Sequence, residues 1–366
     1  MNLPATTFAA ALLVASTAAG EKKAPQPTAG AVTRTPAEVD ALIKSVGPAA
    51  PEWFAETRLT YPPTLDLSWP EPPPTKEWDQ SRNMGQYIWS VINENPSRWH
   101  EGVKLLHHLL TLHKDDRVKL RRVMVSLGHL YAELLEDYPR GAFWWRKALA
   151  LRGDDDHLEV SLADLYFKLG SKEMAVKIIS RFESDFTRHG NVIKLWSDMG
   201  ETDRALKMAE ACVEEGYPAV CNLCAGDACR LAGRYADALR YYQKVLDSPD
   251  GEGDIPRIKN RARANLEAIR LFETLDLKRV PDGVYRSESL GYEAPIEVEV
   301  AVKGGKITDV RVVKHREKQF YSAISDTTRK ILQKQSVRGI DATSSATITS
   351  EAIINASAKA LSGAMK

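Results

Sequence analysis

The chain has 366 residues, 43% of them hydrophobic and 27% charged, and a formal net charge of +1. That balance is of a folded globular protein and excludes an intrinsically disordered one. Near-neutral charge without a basic, aromatic-interleaved stripe argues against a nucleic-acid partner, and the length favours more than one domain.

The chain opens with MNLPATTFAAALLVASTAAG. The apolar core from Phe8 to Ala15 is too short to span a bilayer as a helix. It suits the apolar region of a signal peptide, with cleavage after Ala18 or Ala19 among small residues, although no Lys or Arg precedes it. Residues 1–19 are therefore expected to direct export, and the mature protein to reside in the periplasm or another extracytoplasmic compartment, soluble or peripheral to the membrane. The alternative is an alanine-rich N-terminus of a cytosolic protein. Residues 20–80 read as a Pro-rich linker with a short helix from Pro36 to Ser45. In YPPTLDLSWPEPPPTKEW the prolines impose extended backbone. This stretch is expected either to wrap over a neighbouring surface, with Trp69 and Trp78 as anchors, or to act as a spacer.

Residues 81–277 show helical periodicity throughout, from about Arg82 to Leu275, and they repeat. In AGDACRLAGRYADALRYYQKVL the small and aromatic positions are Gly226, Gly233, Tyr235, Ala238, Tyr242 and Val245. The same spacing recurs with Ala163, Gly170, Ala175 and Ile179, and again with Trp196, Gly200, Ala205, Ala209 and Cys212. A further copy carries Gly128, Tyr131, Gly141, Trp145 and Ala148, its turn lengthened at Tyr138 and Pro139. The pattern resembles the tetratricopeptide repeat, in which two antiparallel helices meet where small residues allow close approach. An all-α solenoid is the expected architecture, and protein docking its expected use.

Cys212, Cys221, Cys224 and Cys229 crowd into one turn and helix. A disulfide from Cys212 to Cys221 or Cys224, buried thiols, and a thiolate metal site are all open. His107, His108 and His113 lie on one helix, and adjacent helical residues point about a hundred degrees apart, so His107 and His108 do not chelate together. These histidines are expected to be satisfied or exposed.

Residues 278–366 change character. Ile296, Val298, Val300 and Val302 alternate along one strand. A Gly304-Gly305 turn follows, and then Ile307, Val310 and Val312. Helices are expected from Ser325 to Lys334 and from Ser350 to Met365, with Ala352, Ala356 and Ala360 as small contact positions. The whole is α+β: a helical-repeat solenoid followed by a small α+β domain. Before the last helix stands GIDATSSATITSEAI, with hydroxyls at Thr343, Ser344, Ser345, Thr347, Thr349 and Ser350. Thr349 and Ser350 are expected to cap the helix. That leaves Thr347, flanked by small residues, where an attached phosphate would meet free N–H groups and the helix dipole.

This segment resembles the flavinylation motif of the FMN-binding domain family, Asp-Ala-x-Ser-Gly-Ala-Thr followed by Ser or Thr. Gly291-Tyr292 and the Gly-Lys-Ile hairpin turn are similar to the family's opening, so the resemblance covers about the last quarter of the chain. It implies covalent FMN, joined through its phosphate to Thr347 by a flavin transferase that uses FAD. By position, Asp341 would help the transfer, Ser344 and Ala346 would line the phosphate side, and Ser345 and Thr349 complete the cofactor-binding set. Ser345 replaces the family's usual glycine. HREKQFYSA stands where the family carries Glu-Thr-Pro, with His315 and Tyr321 as candidates to contact the flavin ring. The family includes flavin-carrying subunits of membrane electron-transport complexes. The expectation is an extracytoplasmic electron carrier whose repeats dock a redox partner protein or a membrane complex. The rivals are a helical-repeat adaptor with a structural C-terminal domain, and an FMN-dependent oxidoreductase acting on a small substrate.

Overall fold

The computed structural model describes residues 32–73, 76–152, 155–182, 189–251, 253–292, 294–317, 322–340, 342 and 347–365. The leader expected over residues 1–19 lies outside them.

Helix α1 (Pro36–Val46) starts at a capping box, in which Thr35 accepts from the Glu38 N–H and Glu38 reaches back to the Thr35 N–H. Ahead of it, the Arg34 N–H donates to the Gly170 carbonyl at 2.9 Å. Gly170 has φ +98°, and a Cβ there would lie 2.1 Å from the Val32 carbonyl oxygen, so only glycine admits this crossing. The Pro-rich stretch does wrap. Trp69 is buried, Arg122 lies over its ring and donates to its carbonyl at 2.8 Å, and His113 bonds the Leu67 carbonyl. Trp78, flanked by Lys76, Glu77 and Asp79, remains 62% exposed and is not an anchor among the described residues.

Short helix α2 (Met84–Tyr87) runs into a π-helical turn, and α3 (Trp99–Leu112) follows. Helix pairs come next: α4 (Arg117–His129) with α5 (Tyr138–Leu151), and α6 (Asp156–Lys168) with α7 (Lys172–Ile179). They continue with α8 (His189–Asp198) and α9 (Thr202–Glu214), then α10 (Pro218–Leu231) and α11 (Tyr235–Asp247), and α12 (Ile255–Thr274) closes the series. Side-chain oxygens of Asp116, Asp155 and Ser171 accept the free N–H groups that open α4, α6 and α7. At Gly128 and Gly226, two of the small positions read from the sequence, helices touch. A Cβ at Gly128 would lie 2.0 Å from the Trp145 ring, and one at Gly226 would lie 2.6 Å from the Tyr242 ring.

Three antiparallel strands follow in the order β1 (Gly283–Leu290), β2 (Pro295–Lys303) and β3 (Lys306–Lys314). Gly304 and Gly305 both take positive φ, as this tight turn requires. Strand β1 was not anticipated: VYRSESL has little of the β-branched and aromatic character of strands, and its pairing with β2 makes it one. Helices α13 (Ser322–Lys334) and α14 (Thr347–Ala364) each begin three residues before their expected starts. Helix α14 is buried almost all round, between β1 and β2 on one side and α12 on the other. Its small residues make that double packing possible.

Two hydrophobic clusters form the core. One gathers residues between Val39 and Leu169. The other runs from Val160 through the later helix pairs and the sheet to Leu361 without a break at the start of β1. No described helix is long and apolar enough to cross a membrane.

Candidate functional site

Thr347 is the first residue of α14 and is half-buried. Glu351, one turn later on the same helix face, lines the same cavity of about 230 Å³. The opposite walls come from the helix pairs: Asn191, Lys194 and Asp198 of α8, Leu223, Cys224, Asp227 and Arg230 of α10, and Ile258 and Arg261 of α12. Ile340 and Ala342 complete the lining beside Thr347. Asn191, Lys194 and Asp198 also line a second depression, which includes Tyr138, Asp164 and Lys168 on α5 and α6. The two depressions therefore adjoin at α8, with the Thr347 cavity on the side of the later helices.

Four charged side chains of the Thr347 cavity, Asp227, Arg230, Arg261 and Glu351, form one network. Arg261 donates to both Glu351 oxygens, at 2.9 and 3.0 Å, and to Asp227 at 2.9 Å. Arg230 reaches Glu351 at 3.2 Å. Tyr242 donates to Asp227 at 2.6 Å, and Asn355 of α14 donates to Asn265 of α12 at 2.8 Å. Burial acts to raise the Glu351 pKa, but the arginines prevail and hold it down at about 2. Asp227 is pushed up to about 6, first by burial and then by the Glu351 charge, against the pull of Arg261 and Arg230. One atom stands apart. Arg230 is 7% exposed, yet its Nη1 has no hydrogen-bond acceptor among the described residues. A buried donor left unpaired costs about 1–3 kcal/mol, and more when charged.

The start of α14 is pinned from a second side. Glu317 is buried, accepts from the Tyr292 N–H at 3.0 Å and takes the Thr349 hydroxyl at 2.5 Å. A Cβ at Gly291 would lie 2.8 Å from Glu317 Oε1 and 2.4 Å from the Ala294 carbonyl, so glycine is needed where the chain passes. Arg257 of α12 lies 5.0 Å from the centre of the Tyr292 ring, tying this corner to the helix pairs. Glu317 belongs to the HREKQFYSA stretch and was not singled out by the sequence.

Thr347 therefore lies on the cavity, as its expected role requires. Thr349 lies in the same first turn but is buried against Glu317 rather than among the cavity-lining residues. The expectation that Thr349 and Ser350 cap the helix is overturned: α14 begins at Thr347, so both are inside its first turns and buried. Asp341, Ser344, Ser345, Ala346 and Tyr321 lie outside the described residues. His315 is half-buried at the end of β3 and is not among the cavity-lining residues.

Cys212 at the end of α9 is joined to Cys221 at the start of α10, their Cα atoms 6.0 Å apart. Cys224 and Cys229 are free. Burial pushes both thiols up, Cys224 to about 12 with Asp227 adding to the effect, and Cys229 to about 11. No group of three or more His, Cys, Asp or Glu residues suited to a metal occurs among the described residues. His107 departs from expectation: it sits between Phe54 and Trp144, its Nε2 has no hydrogen-bond partner among the described residues, and burial lowers its pKa to about 4.

Arg230, Arg261, Asp227 and Glu351 were not singled out by the sequence. They are spread over three helices, and only the fold assembles them. The one readable signal was Glu351, four residues after Thr347 on the same helix.

Residues 291–362 match the family model of the FMN-binding domain. No curated protein matches the chain. The side chains present fit that cofactor: a hydroxyl at a helix start lines a cavity that offers both apolar surface, from Leu223, Ile258 and Ile340, and a buried cationic donor with no acceptor among the described residues.

Proposed function

We propose that this protein is an extracytoplasmic electron carrier with FMN joined through its phosphate to the Thr347 hydroxyl. The observation that carries this reading is the placement of Thr347, within the matched segment, at the first turn of α14 and on the cavity. In maturation by a flavin transferase the Thr347 oxygen gains the bond to phosphorus and its proton leaves, while the FAD pyrophosphate bond breaks and AMP departs. The bound flavin supplies the capacity to take up and release electrons. The chain's own residues hold and orient it: the positive end of the α14 dipole favours an anion, and Glu317 fixes the first turn through Thr349.

Export is supported by the leader-like N-terminus and by the Cys212–Cys221 bond, which suits an oxidising compartment. The stacked pairs, tetratricopeptide-like in their contact positions, would dock a redox partner protein or a membrane electron-transport complex.

The test is to co-produce the full chain with a flavin transferase, denature it, and measure flavin fluorescence and intact mass. The expected result is one FMN added to the wild-type chain and none to Thr347→Ala. A wild-type chain that never acquires flavin would sink the reading. Retention of flavin by Thr347→Ala would move the attachment elsewhere.

A further inference from the structure

We propose that Arg230 and Arg261, both supplied by the helix pairs, bind the phosphate carried on Thr347, so that the flavin site is built across the junction of the repeats and the C-terminal domain. This deepens the reading of Thr347 as the FMN-bearing residue and rests on it.

The first observation is the Nη1 of Arg230, which has no partner among the described residues, on a side chain 7% exposed that lines the cavity with Thr347. Burying a guanidinium is unfavourable unless its donors are met. Arg230 makes one contact with Glu351, at 3.2 Å, whereas Arg261 already satisfies both oxygens of that carboxylate. Arg230 is therefore surplus to Glu351 and has a donor to spare for another anion.

The second observation is position. Thr347 and Glu351 are four residues apart on α14 and share one face, so an anion on the Thr347 oxygen comes beside the guanidinium groups that grip Glu351. Planar guanidinium donors suit phosphate oxygens better than an ammonium does. Lys194 lines the same cavity but is held by Asp198.

The third observation is charge. Arg230 and Arg261 face Glu351 and Asp227, and the raised pKa of Asp227 lets that carboxyl give up its negative charge readily. A phosphate diester with one negative charge can then enter without leaving the cluster overloaded. The repeats would thus complete the cofactor site, whatever else they dock.

The experiment uses the full chain co-produced with a flavin transferase: wild type, Arg230→Gln, Arg230→Lys and Val220→Trp, each beside its Thr347→Ala counterpart. Flavin mass reports attachment. The phosphorus-31 resonance of the diester reports the phosphate's surroundings, and the rise in Tm on flavin attachment reports how well the cavity holds it. In Arg230→Gln the resonance should move toward its position in the denatured chain, and the rise in Tm should fall by more than half. Arg230→Lys, which keeps the charge, should recover part of both. Val220 of α10 also lines the cavity; Val220→Trp narrows it from outside the charge network, covers the case in which Arg230→Gln does not fold, and should also shrink the rise in Tm. A flavin-bearing Arg230→Gln with wild-type resonance and wild-type rise would overturn the inference while leaving the attachment at Thr347 intact. So would a Val220→Trp chain with an unchanged rise. A wild-type chain without flavin removes the underlying reading and the inference with it.

Discussion

At the scale of single residues, the paired carboxylates Asp227 and Glu351 take opposite roles because their surroundings differ. Glu351 receives three arginine contacts and stays ionised, whereas Asp227 shares one arginine and feels its neighbour's charge. The sign of the resulting pH dependence follows. Asp227 ordinarily titrates near 3.8 and is raised to about 6 on folding, so in that interval the folded state binds the proton more readily than the unfolded one. Its contribution makes stability fall as pH rises from about 4 to about 6. Glu351 acts in reverse, stabilising above its ordinary 4.5 and losing that contribution as pH falls toward 2. His107, whose pKa is lowered on folding, acts in the opposite sense to Asp227 over the same interval in both chains. Thermal melts of the unloaded chain between pH 4.5 and 6 should therefore have a more positive slope of Tm against pH in Asp227→Asn than in the wild type. A slope unchanged by Asp227→Asn would refute this assignment.

At the scale of elements, the helix pairs depend on close approach. Gly128 has the Trp145 ring where a Cβ would go, with ring atoms 2.0 and 2.1 Å away and therefore unable to yield by a simple rotamer change. Gly128→Ala should destabilise by about 1–3 kcal/mol through overpacking, read as a lower midpoint in urea. Gly200, also at a repeat position, has open space around a built Cβ but φ +78°, so its glycine serves backbone conformation instead. The Cys212–Cys221 bond ties consecutive pairs where α9 passes to α10. Replacing both cysteines by serine should cost about 2–3 kcal/mol on the loop-entropy estimate, and dithiothreitol should lower the Tm of the wild type but not of the double variant. Equal sensitivity of both chains to the reductant would contradict the pairing.

At the scale of the whole molecule, the core does not divide where the sequence changes character. The alternation that begins after Leu277 marks the sheet, but the second hydrophobic cluster runs from Val160 to Leu361 and takes in helices on both sides of that point. Helix α14 has the sheet on one flank and α12 on the other, joined by Asn355–Asn265, Glu351–Arg261 and Lys359–Glu267. Amide hydrogen exchange should therefore give α14, α10 and α12 a common opening free energy. Protection of α14 that outlasts that of α12 by orders of magnitude would show instead that the C-terminal domain opens alone.

What the sequence determined by itself is what short-range regularity carries. Helical contact positions such as Gly226 and Tyr242, the alternation of Ile296 to Val302 with its double-glycine turn, and the hydroxyl motif around Thr347 are all local, because helix and strand periods repeat within a few residues. Strand β1 escaped because its residues are poor strand formers and the partner strand supplies the order. The tertiary structure alone decided what surrounds Thr347. Arg230, Arg261 and Asp227 are ordinary charged residues in their own helices, and Glu317 an ordinary glutamate after a strand. They are brought to α14 only by tertiary packing, which sets that helix between the sheet and α12 and makes each charge depend on its neighbour.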